Sequence, residues 1–130
     1  MCAIPLTAFV MRSDATACRR TAIALRGLGF AVAEFGDGAH LYGHAIRAAS
    51  VSSHRDRRSF VILAEPTDDV LQDLAVLRSG NWPTPLVLVG RDASPEVARA
   101  LRAVCLSSET PTPQELQQAI DAALEASTPN

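Results

Sequence analysis

Two short stretches, FVIL at residues 60–63 and LVLV at residues 86–89, are apolar at every position. A strand with one wet face alternates apolar and polar side chains, so an unbroken run belongs in a sheet covered on both sides. That requirement predicts a parallel sheet with helices packed on each face, and the rest of the chain supplies the parts. Residues 6–11 and 30–35 read as a first and second strand, and residues 103–107 as a short fifth. Helical patterns fill the intervals. One spans 15–28, closed by Gly27 and Gly29, with Arg19, Arg20 and Arg26 toward solvent. Gly36-Asp37-Gly38 turns into a helix over about 39–49, and another over about 68–79 carries Val70, Leu71, Leu74 and Leu77. Strand and helix alternate five times, which predicts a single doubly wound α/β unit over residues 1–130, frayed at 127–130.

The last two helices have readable starts. In Asp92-Ala93-Ser94-Pro95, Ser94 falls at the N-cap and Pro95 at the first helical position. Thr112-Pro113-Gln114-Glu115 adds a capping box, Thr112 with Glu115, ahead of Leu116, Ile120 and Leu124.

Composition narrows the function classes. The net charge is −2, so no basic footprint for nucleic acid exists. All 12 basic residues are arginines, which removes any role that needs a lysine ammonium. Cys2, Cys18 and Cys105 have neither a C-x-x-C nor a zinc spacing, so they read as reduced thiols in a cytoplasmic protein, with Cys18 and Cys105 in the core. The N-terminus has no basic leader, and its apolar stretch stops at Arg12, so neither a signal peptide nor a membrane span is expected.

Residues that look chemical have plainer readings. Asp14 stands immediately before a helix and reads as its N-cap rather than a metal ligand. Asp68 and Asp69 open a helix and complement its dipole. His40 and His44 are four apart but lack the glutamate and third ligand of a zinc site. Gly36-Asp37-Gly38 lacks the full glycine fingerprint of a phosphate cradle. Ser13 and Asp14 have no nucleophile-elbow glycines, so a hydrolase is unsupported. SVSSHRDRRS, residues 50–59, reads first as a solvated polar basic loop, with docking of an acidic partner by its arginines as the alternative.

Several segments together resemble the receiver domains of bacterial two-component response regulators. They are FVMRSDATACRRTAIALRGLGFAVAEFGDG, FVILAEP, PLVLVG and ETPTPQELQQAI, which cover nearly the whole chain. The resemblance implies a flavodoxin-like five-stranded sheet in the order 2-1-3-4-5. It also implies a site: an acidic pair holding Mg²⁺, an acceptor aspartate, and a hydroxyl and a lysine gripping the phosphoryl oxygens. The acidic pair falls on Ser13 and Asp14, the acceptor on Ala64, the hydroxyl on Gly90, the lysine on Glu109 and the aromatic switch on Leu106. Only Asp14 retains the chemistry. Glu65 follows Ala64 in a strand and is expected to project away, and Arg91 stands beside Gly90 as a stand-in cation with nothing to grip.

The expectation is a phosphorylation-incompetent pseudo-receiver, not an enzyme, with no metal or cofactor. It works as a protein–protein interaction or adaptor module in signalling. By family analogy its partner surface comprises Arg91, Arg99, Arg102, Leu106 and Ser107, the fourth helix–fifth strand–fifth helix face, through which a homodimer is also conceivable. No DNA-binding segment is expected after ALEASTPN, and neither nucleic acid nor membrane is an expected partner. The alternative is a small-ligand sensor or enzyme reusing the vacated pocket, with Ser13, Asp14, Gly90 and Glu109 as its lining.

Overall fold

The structure, a computed structural model, describes residues 7–37, 39–43, 60–79 and 84–127. Five parallel strands form one sheet in the order β2-β1-β3-β4-β5. They are β1 (Thr7–Met11), β2 (Ala31–Phe35), β3 (Phe60–Ala64), β4 (Leu86–Val89) and β5 (Val104–Leu106). The helices are α1 (Ala15–Gly27), α2 (helical residues 39–43), α3 (Asp68–Ser79), α4 (Pro95–Ala100) and α5 (Pro113–Ser127). The expected doubly wound order is the one observed.

Side-chain alternation divides the interior into two clusters. Ala8, Val10, Val61, Leu63, Val87 and Val89 pack with Cys18 and Leu25 of α1 and with Leu116 and Ile120 of α5. Phe9, Met11, Ile62, Ala64, Leu86 and Leu88 pack on the other side with Leu41, with Val70, Leu74 and Leu77 of α3, and with Ala98. All five residues of β3 and all four of β4 are buried, as the unbroken apolar runs require. Phe9 ties the second cluster together, stacked on Phe60 at 5.0 Å between ring centroids and edge-on to Phe35 at 5.8 Å.

Boundaries shift where pairing decides them. β3 runs one residue past its expected end because Ala64 pairs with both Met11 and Leu88. β5 is three residues rather than five, and α1 ends at Gly27. There the Leu28 N–H reaches the Ala24 and Leu25 carbonyls, and Gly29 takes φ +100° to release the chain into β2. The capping box forms as expected: Thr112 N–H donates to Glu115 Oε1 at 2.9 Å and Glu115 N–H to Thr112 Oγ1 at 3.1 Å. Ser94 holds the N-cap position with Pro95 behind it, but its hydroxyl makes no capping bond. Thr67 supplies the start of α3, its Oγ1 accepting from Val70 N–H at 3.4 Å.

Cys18 is buried as expected, and burial raises its thiol pKa above the ordinary value. Cys105, expected in the core, is only half-buried, because β5 is an edge strand and its residues are covered on fewer sides. Cys2, Gly38, His44 and the 50–59 segment lie outside the described residues. Among the described residues no helix is long and apolar enough to cross a membrane.

Candidate functional site

The carboxyl ends of β1, β3 and β4 lie side by side, with Met11 opposite Ala64 and Ala64 opposite Leu88. Ligands in open α/β sheets bind at this edge. Ala64 is wholly buried here among the apolar side chains of the α3 side and presents no functional group. The chemistry gathers on the opposite face, around a residue that sequence reasoning treated only as the end of an apolar stretch.

That residue is Arg12. The strand's two-residue period places it on the α1–α5 face, after Ala8 and Val10, and its side chain is 1% exposed. Nη1 donates to the main-chain carbonyl of Glu109 at 2.8 Å and lies 3.5 Å from Thr21 Oγ1. The Thr21 hydroxyl donates in turn to Ala17 O at 2.9 Å, so its oxygen is free to face the guanidinium as acceptor. Nε and Nη2 face carboxylates at ion-pair distance, Glu65 at 3.8 Å and Glu109 at 3.5 Å. Both nitrogens are buried without a hydrogen-bond partner among the described residues, so these two carboxylates compensate that side of the guanidinium by charge alone.

Glu65 departs from expectation. Its N–H extends the ladder by donating to Met11 O at 3.0 Å, so its side chain falls on the same face as Arg12 rather than leaving the site. There the carboxylate accepts from Ser13 N–H at 3.0 Å and from Ser13 Oγ at 2.9 Å. Alternation was the right rule. What it lacked was the knowledge that Arg12 and Ser13 wait on that face.

The remaining positions complete the arrangement. Asp14 caps α1, its Oδ2 accepting from Ala17 N–H at 3.0 Å, as the sequence predicts. Gly90 has φ +127°, and a Cβ there would stand 3.3 Å from Glu65 Cγ and 3.8 Å from Arg12 Nη2. Both the backbone and the space call for glycine. Glu109 is half-exposed and accepts the Arg91 N–H at 3.3 Å, while the Arg91 side chain lies in solvent. An open cleft of about 300 Å³ borders the cluster, lined by Arg12, Asp14, Thr16, Arg20, Glu109 and Thr110.

Of the predicted partner surface, Arg91, Arg99, Arg102 and Ser107 are exposed, whereas Leu106 is half-buried against the α1–α5 cluster. Arg102 takes φ 54°, and the Arg78 guanidinium holds this corner by donating to Leu101 O at 2.7 Å and Arg102 O at 3.2 Å. His40 is exposed and pairs with Asp37, whose carboxyl is held below the usual range by the His40 N–H and ring.

The receiver resemblance implies Mg²⁺, and the residues present do not fit it. Such an ion takes several oxygen ligands in near-octahedral array. At this edge Asp14 is committed to the α1 cap, and Glu65 and Glu109 face a guanidinium that would stand against the incoming cation. Among the described residues no group of three His, Cys, Asp or Glu is placed to hold a metal.

No protein-family model matches the chain, and no curated protein matches its sequence. Solved structures do resemble its backbone. The chemotaxis response regulator CheY4 of Vibrio cholerae superposes with a TM-score of 0.69 at 16% identity, over 92% of this chain and 98% of that one. The signal receiver domain of an HD-domain-containing protein from Pseudomonas fluorescens Pf-5 gives 0.69 at 16% identity, covering 98% and 92%. A response regulator receiver protein from Sinorhizobium medicae gives 0.66 at 18% identity, covering 95% and 98%. The likeness at these identities is one of architecture: the chain has the receiver-domain fold.

Proposed function

We propose that the protein is a pseudo-receiver, a cytoplasmic protein–protein interaction or adaptor module of bacterial signalling that operates without phosphorylation and without catalysis. The observation that carries this reading is the wholly buried Ala64 on one sheet face and, on the opposite face, the Arg12 guanidinium set between Glu65 and Glu109. In the receiver pattern, Ala64 stands at the acceptor position, and a methyl group is no nucleophile. The carboxylates near it are engaged by Ser13 and Arg12 within the chain. Gly90, at the hydroxyl position, has no donor, and Glu109, at the lysine position, brings negative charge.

The exposed Arg91, Arg99 and Arg102 are available to meet a partner, and arginine favours carboxylate-bearing surfaces. Incubation with acetyl phosphate and Mg²⁺, followed by intact-mass measurement, tests the first half of the reading: the expected result is no phosphoryl adduct. An adduct on any side chain would overturn it. For the second half, the paired charge reversals Arg99→Glu and Arg102→Glu should abolish binding to a captured acidic partner. Retained binding would remove this face.

A further inference from the structure

Four parts of the chain that are distant in sequence meet on the one buried side chain of Arg12. They are the end of β1, the middle of α1 through Thr21, the residue after β3 through Glu65, and the β5–α5 connection through Glu109. The contact to Glu109 differs in kind from a surface ion pair, because Arg12 Nη1 holds the main-chain carbonyl, at 2.8 Å, and so fixes the path of the chain itself. Among the described residues, the connection from 107 to 112 is tied near its ends and, in its middle, through Glu109. Ser108 N–H donates to Leu106 O at 2.8 Å, and the capping box begins at Thr112. Arg12 grips its middle. The Glu109 carboxylate reaches onward to the Arg91 N–H, at the β4–α4 turn.

We propose that Arg12 is a permanent internal strut that holds the β5–α5 connection and, through Glu109, the β4–α4 turn in one position. A guanidinium suits this task because its planar fork reaches a carbonyl, a hydroxyl and two carboxylates at once, whereas a lysine ammonium is a compact point charge. The consequence is that a residue buried at the far end of β1 sets the placement of Arg91 and Ser107 on the exposed face. This holds whether or not the docking reading is right, since it concerns how the loops are held and not what they bind.

Amide hydrogen exchange and backbone order parameters on the wild type, Arg12→Lys and Glu109→Ala test it. In Arg12→Lys, order parameters over 107–112 fall, and the Ser108 and Arg91 amides exchange at least about tenfold faster, while amides of Leu116–Ala123 keep their rates. In Glu109→Ala, the main-chain contact to Arg12 survives while the side-chain acceptor is gone, so Ser108 stays protected and only the Arg91 amide accelerates. The proposal fails if the loop amides of Arg12→Lys match the wild type, or if every amide accelerates equally. Should Arg12→Lys not fold, Glu109→Ala decides, and an unchanged Arg91 amide overturns the strut. Phosphoryl uptake by the wild type would overturn the docking reading and leave this result standing.

Discussion

Replacing Ala64 with aspartate puts a carboxyl at the position the receiver pattern assigns to the acceptor, and the structure sets what this costs. Ala64 is 0% exposed, its sheet partners are Met11 and Leu88, and its cluster is apolar. Arg12, the nearby cation, lies on the opposite face. Burying the neutral acid without a partner costs about 1–3 kcal/mol. The charged form costs about 1.4 kcal/mol more for each unit by which burial raises the pKa. An upshift of about 2 units, short of the limit for full burial, brings the loss near neutral pH to about 4–6 kcal/mol. That is a large share of the roughly 5–15 kcal/mol typical of a domain.

The pH dependence has a defined sign. With the folded pKa raised above the unfolded value of about 3.9, the ionisation part of the penalty is absent below about pH 4. It grows as pH rises toward the folded pKa and is constant above it. Urea unfolding of Ala64→Asp against wild type therefore shows a midpoint lower by about 2 M at pH 7, at slopes of about 1–3 kcal/mol per molar. The gap narrows by about half at pH 4. Equal midpoints at pH 7, or a gap that stays constant with pH, would refute the reasoning. Mass measurement under acetyl phosphate should also show the variant unmodified, since neither a metal site nor a phosphoryl-gripping cation comes with the new carboxyl.

Arg12→Met strands two carboxylates and should cost toward the lower end of about 3–5 kcal/mol, because Glu65 and Glu109 are 22% and 51% exposed and recover solvation. Adding Glu65→Gln should return part of that loss, and a double-mutant cycle with zero coupling would contradict the geometry. Gly90→Ala forces φ +127° on a side chain and pushes its Cβ to 3.3 Å from Glu65 Cγ, a loss of about 1–3 kcal/mol measurable by thermal unfolding. Thiol-reagent kinetics at pH 8 should find Cys105 reacting in the native state and Cys18, buried with a raised pKa, only on unfolding. Native-state labelling of Cys18 would show that α1 opens locally.

The elements were legible because their signals are local. FVIL and LVLV announce double-sided burial, Thr112 and Glu115 announce a helix start, and Asp14 announces another, each within a few residues of chain. Cys105 was misplaced because an apolar strand pattern does not tell how fully its neighbours cover it, even where the expected order 2-1-3-4-5 already sets that strand at an edge. Leu106 was named as surface by family analogy, and the analogy carried no information on its packing against the α1–α5 cluster. Glu65 and Arg12 were misread differently. A charged residue after an apolar run looks like the chain's exit to water, and nothing near Arg12 in sequence warns that Glu65, 53 positions on, and Glu109, 97 positions on, will meet it.

By itself, then, the sequence determined which segments become strands and helices, how they stack, and which positions of a phosphoryl-accepting pattern carry unsuitable side chains. Only the tertiary structure decided what those positions do instead. Propensity, capping and alternation act over a turn or two of chain, whereas a buried guanidinium is tolerable only when remote carboxylates and a carbonyl are delivered to it by the closing of the whole sheet.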